Sequence, residues 1–256
     1  MIKDVDITQV PRYNSSEIAR IMEVNLDFEV EHNVVEGLEY LKIKNFLKYP
    51  EELKEFLLKF PCEDRTMSLE AGEEHLITGS KAPGFQQPIP TKFFSTGISH
   101  AFYAVLKQNN MIKYDEKRCT FMYYTNCFYP KMPAYKTNYL PHVDPFTYAL
   151  NLFLTDVEDT YTDFFKMKIK DTYVYQTSEL YRHPKEHYDD LVHRLDREES
   201  FSKWKVFEEN EIYKRYHRIP AEYNCATVYR GNRWHSAGYD AENETKTRYS
   251  LVGVIN

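Results

Sequence analysis

The sequence predicts a mainly β domain, a sandwich or barrel, with helices flanking it. Three observations carry that expectation. From about residue 119 onward, short runs of Tyr, Phe, Val, Ile and Thr recur between turn residues. The chain holds 22 Tyr and 16 Phe but only 8 Gly, a balance that favours strands over long helices. Apolar residues at clear helical spacing occur in two stretches before residue 110.

Taken in order, residues 1–60 mix short alternating stretches with a helix. Pro50 suits the start of that helix, and Leu53, Phe56 and Leu57 fall on one of its faces. Residues 62–92 contain Gly72, Gly79, Gly84, Pro83, Pro88 and Pro90 and read mostly as loop. A second helix is expected over 96–109, with Ile98, Phe102 and Leu106 along one side. Strands follow at Phe121–Tyr129, Tyr148–Leu154, Tyr173–Tyr175, Ile212–Tyr216, Asn224–Tyr229 and Tyr249–Ile255. The run Tyr148–Leu154 is largely apolar, as for a strand buried on both faces. Residues 183–210 are charged and helix-like, an insertion or lid in the β region. The organisation expected is a single domain: 1–118 an N-terminal helical support, 119–256 the β core, 183–210 the inserted lid.

The 256 residues, 42 % hydrophobic, suffice for a sizeable core. A net charge of −6 with no basic stripe argues against a grip on a nucleic-acid backbone. No apolar run approaches the roughly 20 residues that span a bilayer. The N-terminus lacks the apolar core of a signal peptide, and the four cysteines form no Cys-x-x-Cys pair. A cytoplasmic protein with reduced thiols is expected. There is no Gly-rich phosphate loop, and Ser236 and Ser250 lack a nucleophile elbow.

Three features carry chemistry when weighed together. In Pro141-His142-Val143-Asp144-Pro145, an extended backbone would turn His142 and Asp144 to the same side. His235 stands near a turn just after the apolar strand Thr227-Val228-Tyr229. Arg248 and Ser250 share one face of the last strand. Two imidazoles and one carboxylate make the facial triad of non-haem Fe(II) sites, which leaves coordination positions open. A 2-oxo acid fills two of them. Its far carboxylate then needs a fixed cation, which the planar fork of Arg248 supplies and the Ser250 hydroxyl can assist. Each feature alone is weak, and the order His-x-Asp, His, Arg-x-Ser is specific. A competing set, His183, Glu186, His187 and His193, lacks the His-Glu-x-x-His spacing and sits among alternating charges, as on a solvated helix.

On these residues the chain resembles the 2-oxoglutarate/Fe(II)-dependent oxygenases, whose core is a double-stranded β-helix (jelly-roll, cupin-like). It is most similar to the prolyl-4-hydroxylase-like branch. The run Cys127-Phe128-Tyr129-Pro130, followed by Tyr139-Leu140-Pro141-His142-Val143-Asp144, carries that similarity. The resemblance implies His142, Asp144 and His235 as Fe(II) ligands and Arg248 with Ser250 as the 2-oxoglutarate anchor. It further implies Tyr129 and Tyr139 as co-substrate contacts, with Asn151 and Tyr148 as pocket walls. The implied reaction consumes O2 and releases succinate and CO2 while hydroxylating an aliphatic C–H of an amino-acid, peptidyl or other small substrate, with ascorbate as a candidate reductant.

The chain departs from the family at three points. The stretch between His142 and His235 is long, Thr160-Tyr161-Thr162-Asp163-Phe164 stands where relatives carry Gly-Gly-Thr-x-Phe, and Val254 replaces the second Arg of the nucleic-acid dealkylating branch. The presence of Asp144 favours hydroxylation over halogenation. Two alternatives stay open: a non-catalytic jelly roll that binds a small acid or sugar in the same pocket, and metal chemistry without 2-oxoglutarate.

Overall fold

The computed structural model describes residues 15–59, 63–64, 85–89, 97–112, 121–128, 141, 143–144, 146–158, 160–168, 209, 213–239 and 246–255. His142, Tyr129 and Tyr139 lie outside them, as do the expected strand at 173–175 and all of 183–210 except Glu209.

Two helices and two strands come first: α1 (Ser15–Ile21), β1 (Glu29–Val35), β2 (Leu38–Lys44) and α2 (Pro50–Leu57). After β3 (Glu63–Asp64) and β4 (Phe85–Ile89) comes α3 (Ile98–Gln108). The remaining strands are β5 (Phe121–Phe128), β6 (Tyr148–Phe153), β7 (Thr160–Met167), β8 (Tyr213–Pro220), β9 (Ala226–Arg230), β10 (His235–Tyr239) and β11 (Arg248–Ile255).

The strands form two antiparallel sheets. The larger runs β1-β2-β9-β6-β11-β5-β4-β3 and the smaller β10-β7-β8. From β6 the chain crosses to the smaller sheet for β7 and β8, returns for β9, crosses again for β10 and returns for β11. The last strand therefore lies between β5 and β6. This is the winding of a double-stranded β-helix, a jelly-roll core with flanking helices.

The larger sheet has two faces of opposite character. Leu150, Leu152, Ala226, Val228, Tyr249, Leu251 and Ile255 pack against Leu53, Phe56 and Leu57 of α2 and Ile98, Phe102 and Leu106 of α3. The helical faces read from spacing are the faces buried here. Because side chains alternate along a strand, Asn151, Thr227, Arg248 and Ser250 point to the other side, between the sheets. All four are buried. There Tyr40, Ala149 and Tyr229 meet Phe164 and Ile219 of the smaller sheet.

Two differences from the expected layout have physical causes. Residues 85–89, expected as loop, form β4 along β5, with Pro88 opposite Tyr124. Their outer neighbour β3 reaches only Phe85 and Gln86, and such an edge tolerates a residue without an N–H. The N-terminal part also contributes β1 to β4 to the larger sheet besides its helices, so backbone pairing as well as helix packing ties it to the core.

Asn224 sets the entry into β9. Its backbone is in the left-handed region (φ 53°), which Asn tolerates better than most residues. Its side chain accepts from the Leu47 N–H at 2.9 Å and donates to the Leu47 carbonyl at 2.8 Å. Asn224→Ala should lose both buried bonds and add backbone strain, lowering unfolding free energy by about 2–4 kcal/mol in a urea titration. Asn224→Gly, which keeps the backbone conformation, should cost less than the alanine variant.

Candidate functional site

The segment around Asp144 is tied to the turn between β9 and β10. The Asp144 N–H donates to the Gly231 carbonyl at 2.8 Å, and the Gly231 N–H donates to the Thr147 carbonyl at 3.1 Å. Gly231 is required by this close approach: a Cβ there would lie 2.3 Å from the Phe146 carbonyl oxygen and 3.2 Å from the Asp144 Cβ. On the outer side Val143 packs against a cluster of Phe165, Tyr213 and Trp234.

His235 opens β10 directly after that turn. Its Nε2 lies 3.4 Å from Asp144 Oδ2, with side-chain exposures of 5 % and 21 %. Its Nδ1 lies 2.8 Å from the Arg233 carbonyl oxygen, which can only accept, so Nδ1 carries the hydrogen. In the neutral imidazole Nε2 then turns a lone pair toward the Asp144 carboxylate. Two acceptors brought this close suit a metal cation held by both. Oxygen and imidazole nitrogen form a donor set suited to a first-row metal, with the Arg233 carbonyl as the outer partner that fixes the ring. Among the described residues no cluster of three or more His, Cys, Asp or Glu occurs, and His142 is not one of those residues.

The wall facing this pair is aromatic. Tyr229 meets His235 at 5.0 Å between ring centroids, tilted by 68°, and meets Phe164 edge-on at 4.9 Å. The Asn151 side chain donates to the Tyr229 hydroxyl at 3.2 Å. Burial pushes the Tyr229 phenol well above its ordinary pKa, and the Asp144 charge pushes the same way. The Asn151 bond and the Arg248 charge act in the opposite direction. The phenol therefore keeps its proton across the working range of pH.

Arg248 is 1 % exposed, with its guanidinium 5.3 Å from the centre of the Phe153 ring. Ser250, opposite Phe153 in register, is fully buried, and its Oγ has no hydrogen-bond partner among the described residues. A buried hydroxyl left in that state is costly, so it fits a position awaiting a polar ligand. A separate charge cluster lies on the smaller sheet: Arg218 holds Asp163 through two bonds of 2.7 Å and stacks 3.4 Å from the Tyr161 ring, and Arg215 lies 3.5 Å from the same carboxylate.

The structure thus brings Asp144 and His235 into contact distance and places Asn151, Arg248 and Ser250 on the inner face of the same sheet. Tyr229 and Gly231 were not singled out by the sequence reading. Alternation in Thr227-Val228-Tyr229 was the available signal, since it sets Tyr229 opposite the apolar Val228. Gly231→Ala should force the Asp144 segment away from the turn, with a loss of about 1–3 kcal/mol in unfolding free energy measured in urea. A Gly231→Ala protein as stable as the native chain would show that the approach is not tight.

A search of curated proteins finds no match to the chain. Among solved structures, one similar to it is the crystal structure of the non-heme alpha ketoglutarate dependent carbocyclase SnoK from nogalamycin biosynthesis. That match is 10 % identical and covers 95 % of this chain and 84 % of that chain at a TM-score of 0.38, too loose to transfer residues or chemistry. The profile of a family of unknown function, DUF6445, matches residues 26–249, and the chain belongs to that family.

Proposed function

We propose that this chain is an Fe(II)- and 2-oxoglutarate-dependent oxygenase that hydroxylates an aliphatic C–H of a small or peptidyl substrate. The observation that carries the proposal is the approach of Asp144 Oδ2 to His235 Nε2 inside a polar jelly-roll interior. The buried Arg248 and Ser250 on the inner face of the larger sheet support it. The similarity of the run Cys127 to Asp144 to prolyl-4-hydroxylase-like enzymes supports an amino-acid or peptidyl substrate.

In this reading His142, Asp144 and His235 hold the metal. Bound Fe(II) with 2-oxoglutarate would supply O2 activation, coupling loss of CO2 from the 2-oxo acid to oxidation of the substrate C–H. The residues of the chain position and insulate. The Arg233 carbonyl fixes the His235 tautomer, so Nε2 is the nitrogen that faces the site. Arg248 presents a fork to the distal carboxylate of the co-substrate, and Ser250 adds one donor. Phe153 and Phe164 keep the surroundings dry, which strengthens those charge contacts. Tyr129 and Tyr139 are further co-substrate contacts in this reading.

The test is succinate formation from 2-oxoglutarate with Fe(II) and ascorbate under air. The native chain should show a slow uncoupled rate even without substrate. Asp144→Ala should lower it by more than the roughly 10–100-fold typical of losing an outer-shell partner. Arg248→Lys should raise the KM for 2-oxoglutarate by about tenfold or more while leaving metal affinity unchanged. Normal turnover by Asp144→Ala would sink the assignment. No succinate from the native chain, with no Fe(II)-dependent absorbance change on adding 2-oxoglutarate without air, would leave a jelly roll that binds a small acid or sugar.

A further inference from the structure

Tyr229 stands where a phenylalanine would pack equally well. Its ring fills the space between Phe164 and His235, and it lies beside Ala149 and Tyr40 in register. Tyr229 is 1 % exposed, so a phenol there adds a buried hydroxyl, a cost unless both its capacities are used. The bond from Asn151 uses the oxygen as acceptor. The hydroxyl's own hydrogen has no acceptor among the described residues. The phenol feels the charges of both Asp144 and Arg248, which act on it with opposite sign.

We propose that the Tyr229 hydroxyl is a co-substrate contact, donating its hydrogen to the bound 2-oxo acid, with Asn151 as the positioning residue that fixes the hydroxyl. This rests on the oxygenase reading and adds a residue to it. Asn151 then acts on the ligand through Tyr229. The division of labour follows from chemistry: Arg248 neutralises the distal carboxylate, and the neutral phenol meets an oxygen nearer the metal without adding a charge. A hydrogen bond from a neutral donor to a charged acceptor is among the stronger ones, so its loss is measurable.

The experiment compares the native chain, Tyr229→Phe and Asn151→Ala, without air. Metal affinity is measured first with Mn(II) alone, then 2-oxoglutarate affinity with Fe(II) present, together with the position of the resulting absorbance band. Tyr229→Phe retains the ring and its packing, so the fold should persist. Its Mn(II) affinity should match the native value, its 2-oxoglutarate Kd should rise by about tenfold or more, and its band should move in energy. Asn151→Ala should shift both in the same direction by less. A role in packing alone would not move the band. Equal Kd and an unmoved band in Tyr229→Phe, with the native chain binding normally, would overturn this proposal and leave the oxygenase reading intact. Weakened Mn(II) binding in Tyr229→Phe would also overturn it, making the hydroxyl a partner of Asp144. A native chain that fails to bind 2-oxoglutarate would remove both readings.

Discussion

The site depends on a pair of backbone hydrogen bonds through one residue without a side chain. Gly231 accepts from Asp144 and donates to Thr147, and the approach is so close that a single methyl group would collide with the Phe146 carbonyl. The two bonds join a segment between β5 and β6 to the turn between β9 and β10, pieces far apart in sequence. Their consequence is the 3.4 Å contact between Asp144 and His235. Without that tie the carboxylate would sit on a connecting segment and the imidazole on a strand of the smaller sheet, joined mainly by the packing of Val143 on the cluster that holds Trp234.

The strand period supplies the rest. On β6, β9 and β11 the side chains under the helices are mostly apolar, joined by Tyr148 and Tyr249 and, at the end of β9, by Arg230 lying over the Tyr148 ring. The intervening positions include Asn151, Thr227, Arg248 and Ser250, all buried between the sheets. An interior built for stability alone would be apolar on both faces, because buried polar groups stabilise little and are costly when unmatched. The concentration of these groups on the inner face is what the proposed binding of a charged ligand there would use. The opposite face, packed on α2 and α3, carries the hydrophobic stabilisation.

Much of this was legible in the sequence because it is local. Leu53, Phe56 and Leu57 repeat at helical spacing, and all three are buried on α2. The run of β6, apolar except for Asn151, is buried at every position. Arg248 and Ser250 are two apart, so any strand sets them on one face. What escaped the sequence depends on partners distant in the chain. Pro88 marks a loop until β5 offers an edge to pair with. Tyr229 reads as one more strand aromatic until β6 brings Asn151 against its hydroxyl and β10 lays His235 across its ring. Gly231 reads as an ordinary turn glycine until the Asp144 segment is seen against it.

We propose that His142, Asp144 and His235 hold a metal ion, and Mn(II) stoichiometry measured by electron paramagnetic resonance is the test. One tightly bound ion per native chain is expected, with loss of that ion in His235→Ala and the fold retained by circular dichroism. A native chain that binds no ion, or a His235→Ala chain that binds it equally well, would contradict the proposal.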